Sequence, residues 1–205
     1  MQKAILLLFA LIGFAGKAQT ENSKSNQNIS FVNTFQFTIG FSNLSPNKSM
    51  MGDAHEEAFP SITARLGIFS YNRFTIGIHA ALHRMSVKNN KYFGEFEKTT
   101  VFTPGFYLSY YQPITSESLF EPYISYDNSD YTTKGYEKEL NSKSDGLGLG
   151  LDYQHKIGSK AYVTFGLKYS INKMRTNTHP DWEKYINNYN FLSAKVGFTF
   201  SKDRL

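Results

Sequence analysis

The chain has 205 residues, a formal net charge of +5, 16% aromatic residues, 15 glycines and no cysteine. Without cysteine there is neither a disulfide framework nor thiolate chemistry. A mean hydropathy of −0.40 argues against a helical membrane protein, and lysines interleaved with acids, as in Lys134, Glu137, Lys138 and Glu139, exclude a concentrated nucleic-acid face.

In chain order, residues 1–18 read as a secretory signal. Lys3 opens it, Ala4 to Phe14 form an apolar run too short to span a bilayer, and Gly16-Lys17-Ala18 offers a small-residue cleavage site. Its removal takes away Lys3 and Lys17. No cysteine follows, so a lipid anchor is not expected. Residues 19–28 are expected to be a polar, flexible periplasmic lead-in and 29–205 a single domain, with no periplasmic binding domain expected beside it.

Eight segments of that domain alternate large apolar with small or polar residues, the period-two signature of strands with one greasy and one wet face. The first sets Phe35, Phe37, Ile39 and Phe41 against Gln36, Thr38, Gly40 and Ser42. The second opposes Ile62, Ala64, Leu66 and Ile68 to Ser61, Thr63, Arg65 and Gly67. In the third, Phe74, Ile76, Ile78, Ala80 and Leu82 face away from Thr75, Gly77, His79, Ala81 and His83. Phe102 to Tyr110, Phe120 to Asp127, Gly146 to Tyr153, Val163 to Ile171 and Leu192 to Phe200 repeat the pattern. In the sixth, Leu147, Leu149 and Leu151 alternate with Gly146, Gly148 and Gly150.

Alternation alone also fits a soluble ligand-binding barrel, which would fill its wet face with Lys, Glu and Thr. Here that face is mostly Gly, Ser, Thr and Tyr. Glycine packs nothing on an open strand, but it suits the lumen of an eight-stranded barrel, just wide enough for side chains to fill it. Gly146, Gly148 and Gly150 would leave room for Tyr107, Tyr123 or Arg65, with the apolar face toward lipid. Short turns near 71–73, 113–117 and 156–159 alternate with longer stretches at about 43–58, 88–99, 128–144 and 173–188. That rhythm is the one expected of an outer-membrane barrel with both termini periplasmic. Tyr71, Phe74, Tyr110, Tyr111, Phe120, Tyr153 and Phe200 would form an aromatic belt at the short-turn end. Tyr92, Phe93, Phe102, Tyr126 and Tyr189 would form a looser one opposite.

With these features the chain resembles the small OmpA/OmpX-type outer-membrane barrels, in their single-domain form, over residues 29–200. The ending Lys195-Val196-Gly197-Phe198-Thr199-Phe200 is similar to the barrel-assembly signal, carried by Gly197, Phe198 and Phe200; the tail Ser201 to Leu205 extends past the usual finish. The resemblance implies an all-β, eight-stranded antiparallel up-and-down transmembrane barrel in a Gram-negative-type outer membrane. It also implies contact with outer-membrane lipid including lipopolysaccharide and with the barrel-assembly machinery, and a monomer.

Six charged residues fall on the inner face: Arg65, Lys168 and Lys195 against Glu121, Asp127 and Asp152. Three of each sign suggest internal pairing and weaken an ion-selective channel, which would want one sign dominant. His79 and His83 share that face, but four strand residues span roughly 13 Å, too far for one metal ion without other ligands. Asp53 with His55-Glu56-Glu57 could hold a surface cation. His179, Asp181 and Trp182 cluster near a fourth long connection, where no serine completes a triad by spacing. The expectation is a structural or surface-interaction barrel with a polar, filled lumen, no catalysis, no metal and no cofactor. The alternatives are a narrow pore for small solutes and a lipid A-modifying barrel enzyme.

Overall fold

The computed structural model describes residues 29–44, 49–89, 91 and 94–201. The expected signal segment, the lead-in, Tyr92, Phe93 and the last four residues of the tail lie outside that range. Among the described residues eight long strands run in chain order: β1 (Ile29–Leu44), β2 (His55–Tyr71), β3 (Phe74–Val87), β4 (Phe96–Tyr110), β5 (Ser118–Gly135), β6 (Glu139–Lys156), β7 (Ala161–Met174) and β8 (Asn188–Ser201). Each pairs antiparallel with the next, and β1 pairs with β8, closing the sheet into a barrel. Closure removes the two free edges that an open sheet would expose. Gln112–Pro113 adds a two-residue ladder against Leu119 and Phe120 of β5. Two short helices, α1 (Met50–Ala54) and α2 (Pro180–Asn187), sit at the long-loop end.

The greasy stripe faces outward. Leu147, Leu149 and Leu151 are 66%, 40% and 45% exposed, while of the glycines that alternate with them Gly146 and Gly148 are buried and Gly150 is half-buried. Along β3 the outward residues from Phe74 to Leu82 cover nine positions, as do Phe102 to Tyr110 in β4. Nine residues rise roughly 30 Å along a strand, and a tilted strand of that length matches an apolar band about 25 Å tall. Above the band an outward row of Asn43, Arg84, Thr100, Asn128, Asp145 and Lys173 marks its end. Tyr71, Phe74, Phe120 and Phe200 stand exposed at the short-turn rim, and Phe102 and Tyr126 at the other.

Three sequence expectations need correction. The stretch 128–144 is not a long loop: β5 and β6 continue through it as a hairpin, pairing from Ser118–His155 to Lys134–Glu139. Tyr189 does not join the outer belt. It is 2% exposed and turns inward, its hydroxyl bonded to those of Tyr131 and Ser144. The interior is also not polar throughout, because Leu44, Met51, Met85, Val101, Tyr131, Met174, Tyr189 and Phe191 pack together inside the long-loop end. Small irregularities adjust the outline: β1 slips register between Phe31 and Thr34, and β2 against β3 between Gly67 and Phe69, each a bulge of the kind that bends a strand.

Candidate functional site

The barrel interior gathers the chemistry-bearing side chains. Glu121 of β5 and Asp152 of β6 are directly opposed across a ladder, a placement that costs stability for like charges unless cations answer it. Arg65, reaching in from β2, answers both. Its Nη1 lies 2.7 Å from Asp152 Oδ2 and its Nη2 3.5 Å from Glu121 Oε1. The Lys195 ammonium, from β8, is 3.0 Å from Asp152 Oδ1. Gln36 donates to Asp152 at 3.0 Å, and Gln154 donates to Glu121 at 2.5 Å. Every carboxylate oxygen of this pair therefore has an amide or a cation within reach, as burial of charge requires.

Two rings complete the plug. The Arg65 guanidinium lies between Tyr107 and Tyr123, 4.1 Å and 4.2 Å from their centroids. A planar cation between two π faces gains on both sides. Glycines make the rings fit. A Cβ on Gly150 would fall inside the Tyr123 ring, one on Gly77 would lie 2.6 Å from the Tyr107 ring, and one on Gly166 would collide with Asp152 and Lys195.

A second cluster stands nearer the long-loop end. Asp127 takes the Lys168 ammonium at 2.6 Å and lies 3.0 Å from His79 Nε2. The His79 ring fills the space over Gly105, and Lys168 that over Gly148. His83 does not join it; its ring stacks on Phe191 with centroids 5.7 Å apart, and Ser42 Oγ is 3.5 Å from its Nδ1. All six inner charges thus meet an opposite charge, in two neutral groups. The two histidines do not converge, and no group of three His, Asp or Glu among the described residues could hold a metal ion.

The loop residues separate. His55 is buried, donates to the Met51 carbonyl at 3.2 Å and accepts from Thr99 at 2.8 Å, while Asp53 accepts from the Tyr185 hydroxyl at 2.7 Å. His179 caps α2, accepting from the Asp181 N–H at 3.4 Å, on an exposed surface. At the β5–β6 hairpin tip the Asn141 amide and the Lys134 ammonium hold the Glu139 carboxyl below its usual range. Of Gly197, Phe198 and Phe200, read in the sequence as resembling an assembly signal, the two phenylalanines point outward from β8. A Cβ on Gly197 would lie 2.6 Å from the Thr38 Cα, so β1 and β8 approach closely there.

The apolar stopper above the charges was missing from the sequence reading. Its Tyr131 and Tyr189 rings meet edge to face, with centroids 6.1 Å apart. Met51 and Ala54 of α1, 1% and 0% exposed, bury themselves at the same end.

No protein-family model matches this sequence, and no curated protein resembles it in sequence. Solved structures do resemble it in shape. The crystal structure of Neisserial surface protein A matches with a TM-score of 0.57 at 11% identity, covering 86% of this chain and 100% of that one. The outer membrane protein OprG of Pseudomonas aeruginosa matches with a TM-score of 0.45 at 13% identity, over 85% and 98%. The N-terminal barrel domain of Pseudomonas aeruginosa OprF gives 0.44 at 8%, over 83% and 100%. The chain has the closed eight-stranded antiparallel fold of the outer-membrane barrels.

Proposed function

We propose that this chain is a closed, non-conducting outer-membrane barrel with a structural or surface-interaction role, carrying its long-loop end outside and both termini in the periplasm. The observation that carries this reading is the interior. Arg65 is held between two tyrosine rings while it neutralises two carboxylates, and Lys195 completes the charge balance. Catalysis needs groups that reach a substrate, and a pore needs a continuous wet path; paired, buried groups at mid-height favour neither. The apolar band and the polar row above it support insertion in a bilayer. Outward cations beyond the band, such as Arg84 and Lys173, suit the phosphates of outer-leaflet lipid. Gly197, Phe198 and Phe200 would present the terminal strand to the assembly machinery.

The exposed Trp182 of α2 and Tyr136 of the β5–β6 tip offer the aromatic anchors that surface contacts favour. Purified protein in planar bilayers should pass no current above the lipid baseline. Discrete conductance steps would overturn the closed reading. Lipid A mass spectra should stay unchanged on overexpression; a new lipid A species would assign catalysis instead.

A further inference from the structure

The outward polar face above the apolar band is not evenly charged. On its β5–β7 side each of four cations has a carboxylate partner. Lys134 meets Glu139 at 3.2 Å, Lys143 meets Asp130 at 3.3 Å, Lys173 meets Glu183 at 2.9 Å, and Arg175 grips Asp145. On the β3–β4 side Arg84 and Lys98 stand exposed, with no carboxylate partner among the described residues. Register brings these two toward a third cation. Lys98 is directly opposed to Lys134 across the β4–β5 ladder. Arg84 is in register with Thr100, and Ser86 with Lys98, so Arg84 and Lys98 are diagonal neighbours. Like charges in opposed positions cost stability unless an opposite charge answers them, and the Glu139 bridge goes to Lys134. Glu56, in register with Ser86, and Glu139 bound the group on either side, which leaves an excess of positive charge between them.

Toward the membrane along the same strands, the wall carries an apolar groove of about 460 Å³. Ala64, Ala80 and Pro104, in register across β2, β3 and β4, form its floor. Leu66, Ile78 and Phe106, in register two residues further into the band, form its lower side. Four strand residues, roughly 13 Å, separate Ala80 from Arg84 and Pro104 from Thr100. The exposed side chains of Leu82 and Phe102 fill that interval. An apolar hollow at band depth, with cations above it on the same strands, is the complement of a lipid whose phosphate lies over its chain.

We infer that Arg84, Lys98 and Lys134 bind a phosphate on the lipid A moiety of lipopolysaccharide, one acyl chain of which lies in the groove over Ala64, Ala80 and Pro104. The inference rests on the reading that carries the long-loop end outside, and narrows it to one place on the circumference. The Arg84 guanidinium can take two phosphate oxygens at once, while Lys98 and Lys134 act as point charges. Thr100 offers a hydroxyl beside them. A phosphate bearing more than one charge answers the opposed lysines together, which Glu139 alone does not. Around β5–β7 the cations are already held by carboxylates, so the same lipid gains less there.

The test uses the whole protein in detergent micelles, with bisphosphorylated lipid A as the probe and native mass spectrometry to count what stays bound. Arg84→Gln combined with Lys98→Gln should weaken binding roughly tenfold or more. Lys143→Gln combined with Lys173→Gln removes the same charge from the paired side and should leave binding unchanged. Ala80→Phe, which fills the groove without touching a charge, should weaken it as well. All these side chains face outward, so each variant should keep the folded barrel's mobility on unheated gels. Equal losses from the two charge pairs would overturn the site in favour of diffuse surface charge. Equal binding of dephosphorylated lipid A would overturn the phosphate contact, and full binding by Ala80→Phe would overturn the groove. Equal binding of a water-soluble bisphosphorylated sugar without acyl chains would overturn the lipid as guest. Orientation is read separately. Tyr136→Cys, at the exposed hairpin tip of a chain with no other cysteine, should react in intact cells with a membrane-impermeant maleimide. Absence of that labelling would overturn the outward placement, whereas labelling with unselective lipid A binding would overturn the site alone.

Discussion

Arg65 is the residue on which the interior depends most. It meets Asp152 and Glu121 and lies between Tyr107 and Tyr123, with all five side chains buried. Removing one partner of a buried ion pair typically costs about 3–5 kcal/mol, because the remaining charge is left without compensation. Arg65→Ala should therefore unfold at markedly lower denaturant than the parent, by a difference of that size in urea titrations of the vesicle-inserted protein. A stability loss below about 1 kcal/mol would show that the carboxylates find other partners. Gly150 makes a complementary prediction. A Cβ there would enter the Tyr123 ring, so Gly150→Leu should displace the ring and destabilise the barrel, whereas the outward Leu149→Val should be nearly silent. Period two makes the inward direction of these residues legible in the sequence. Which charge meets which, and which glycine yields to which ring, depends on strand stagger around the barrel, and no short segment encodes that.

At the scale of the strand, alternation is readable where one face is apolar and the other is not. β6 from Gly146 to Tyr153 is the clearest case, and its leucines do point outward. Lys is costly at the lipid-facing midplane, by roughly 2–4 kcal/mol. Leu149→Lys should lower folding stability in vesicles by that amount, while Lys in place of Leu140, on the hairpin beyond the band, should change it little. Equal effects at both positions would contradict the band as drawn. The same hairpin explains why 128–144 reads as a loop in the sequence. In β5, Asp130, Thr132 and Lys134 alternate with Ser129, Tyr131 and Thr133, polar or hydroxyl-bearing on both faces, so period two carries no hydrophobic contrast. Tyr189 is misplaced for a related reason: an aromatic near a strand end suggests a belt, but its parity along β8 puts it inside with Phe191.

For the molecule as a whole, two stoppers lie in series along one short lumen. The lower is the charged plug around Arg65; the upper is the apolar cluster beneath α1. Only the lower one is legible in the sequence. Leu44, Met85, Val101, Met174 and Phe191 lie one to three residues beyond the alternating segments, which end at Ser42, His83 and Ile171 and begin at Phe102 and Leu192. The contrast between the faces fades at those ends, although the strands and their inward parity continue. Series obstruction makes a demand that a single plug would not. An ion must lose its hydration at the apolar stopper, where a dewetted constriction blocks current without any charge, and must also pass the plug. Arg65→Ala combined with Tyr123→Ala should therefore still be silent in planar bilayers, as should Met85→Ala combined with Phe191→Ala. All four substitutions together should produce discrete conductance steps that neither pair shows alone. Current through either pair by itself would mean that one obstruction carries the whole barrier.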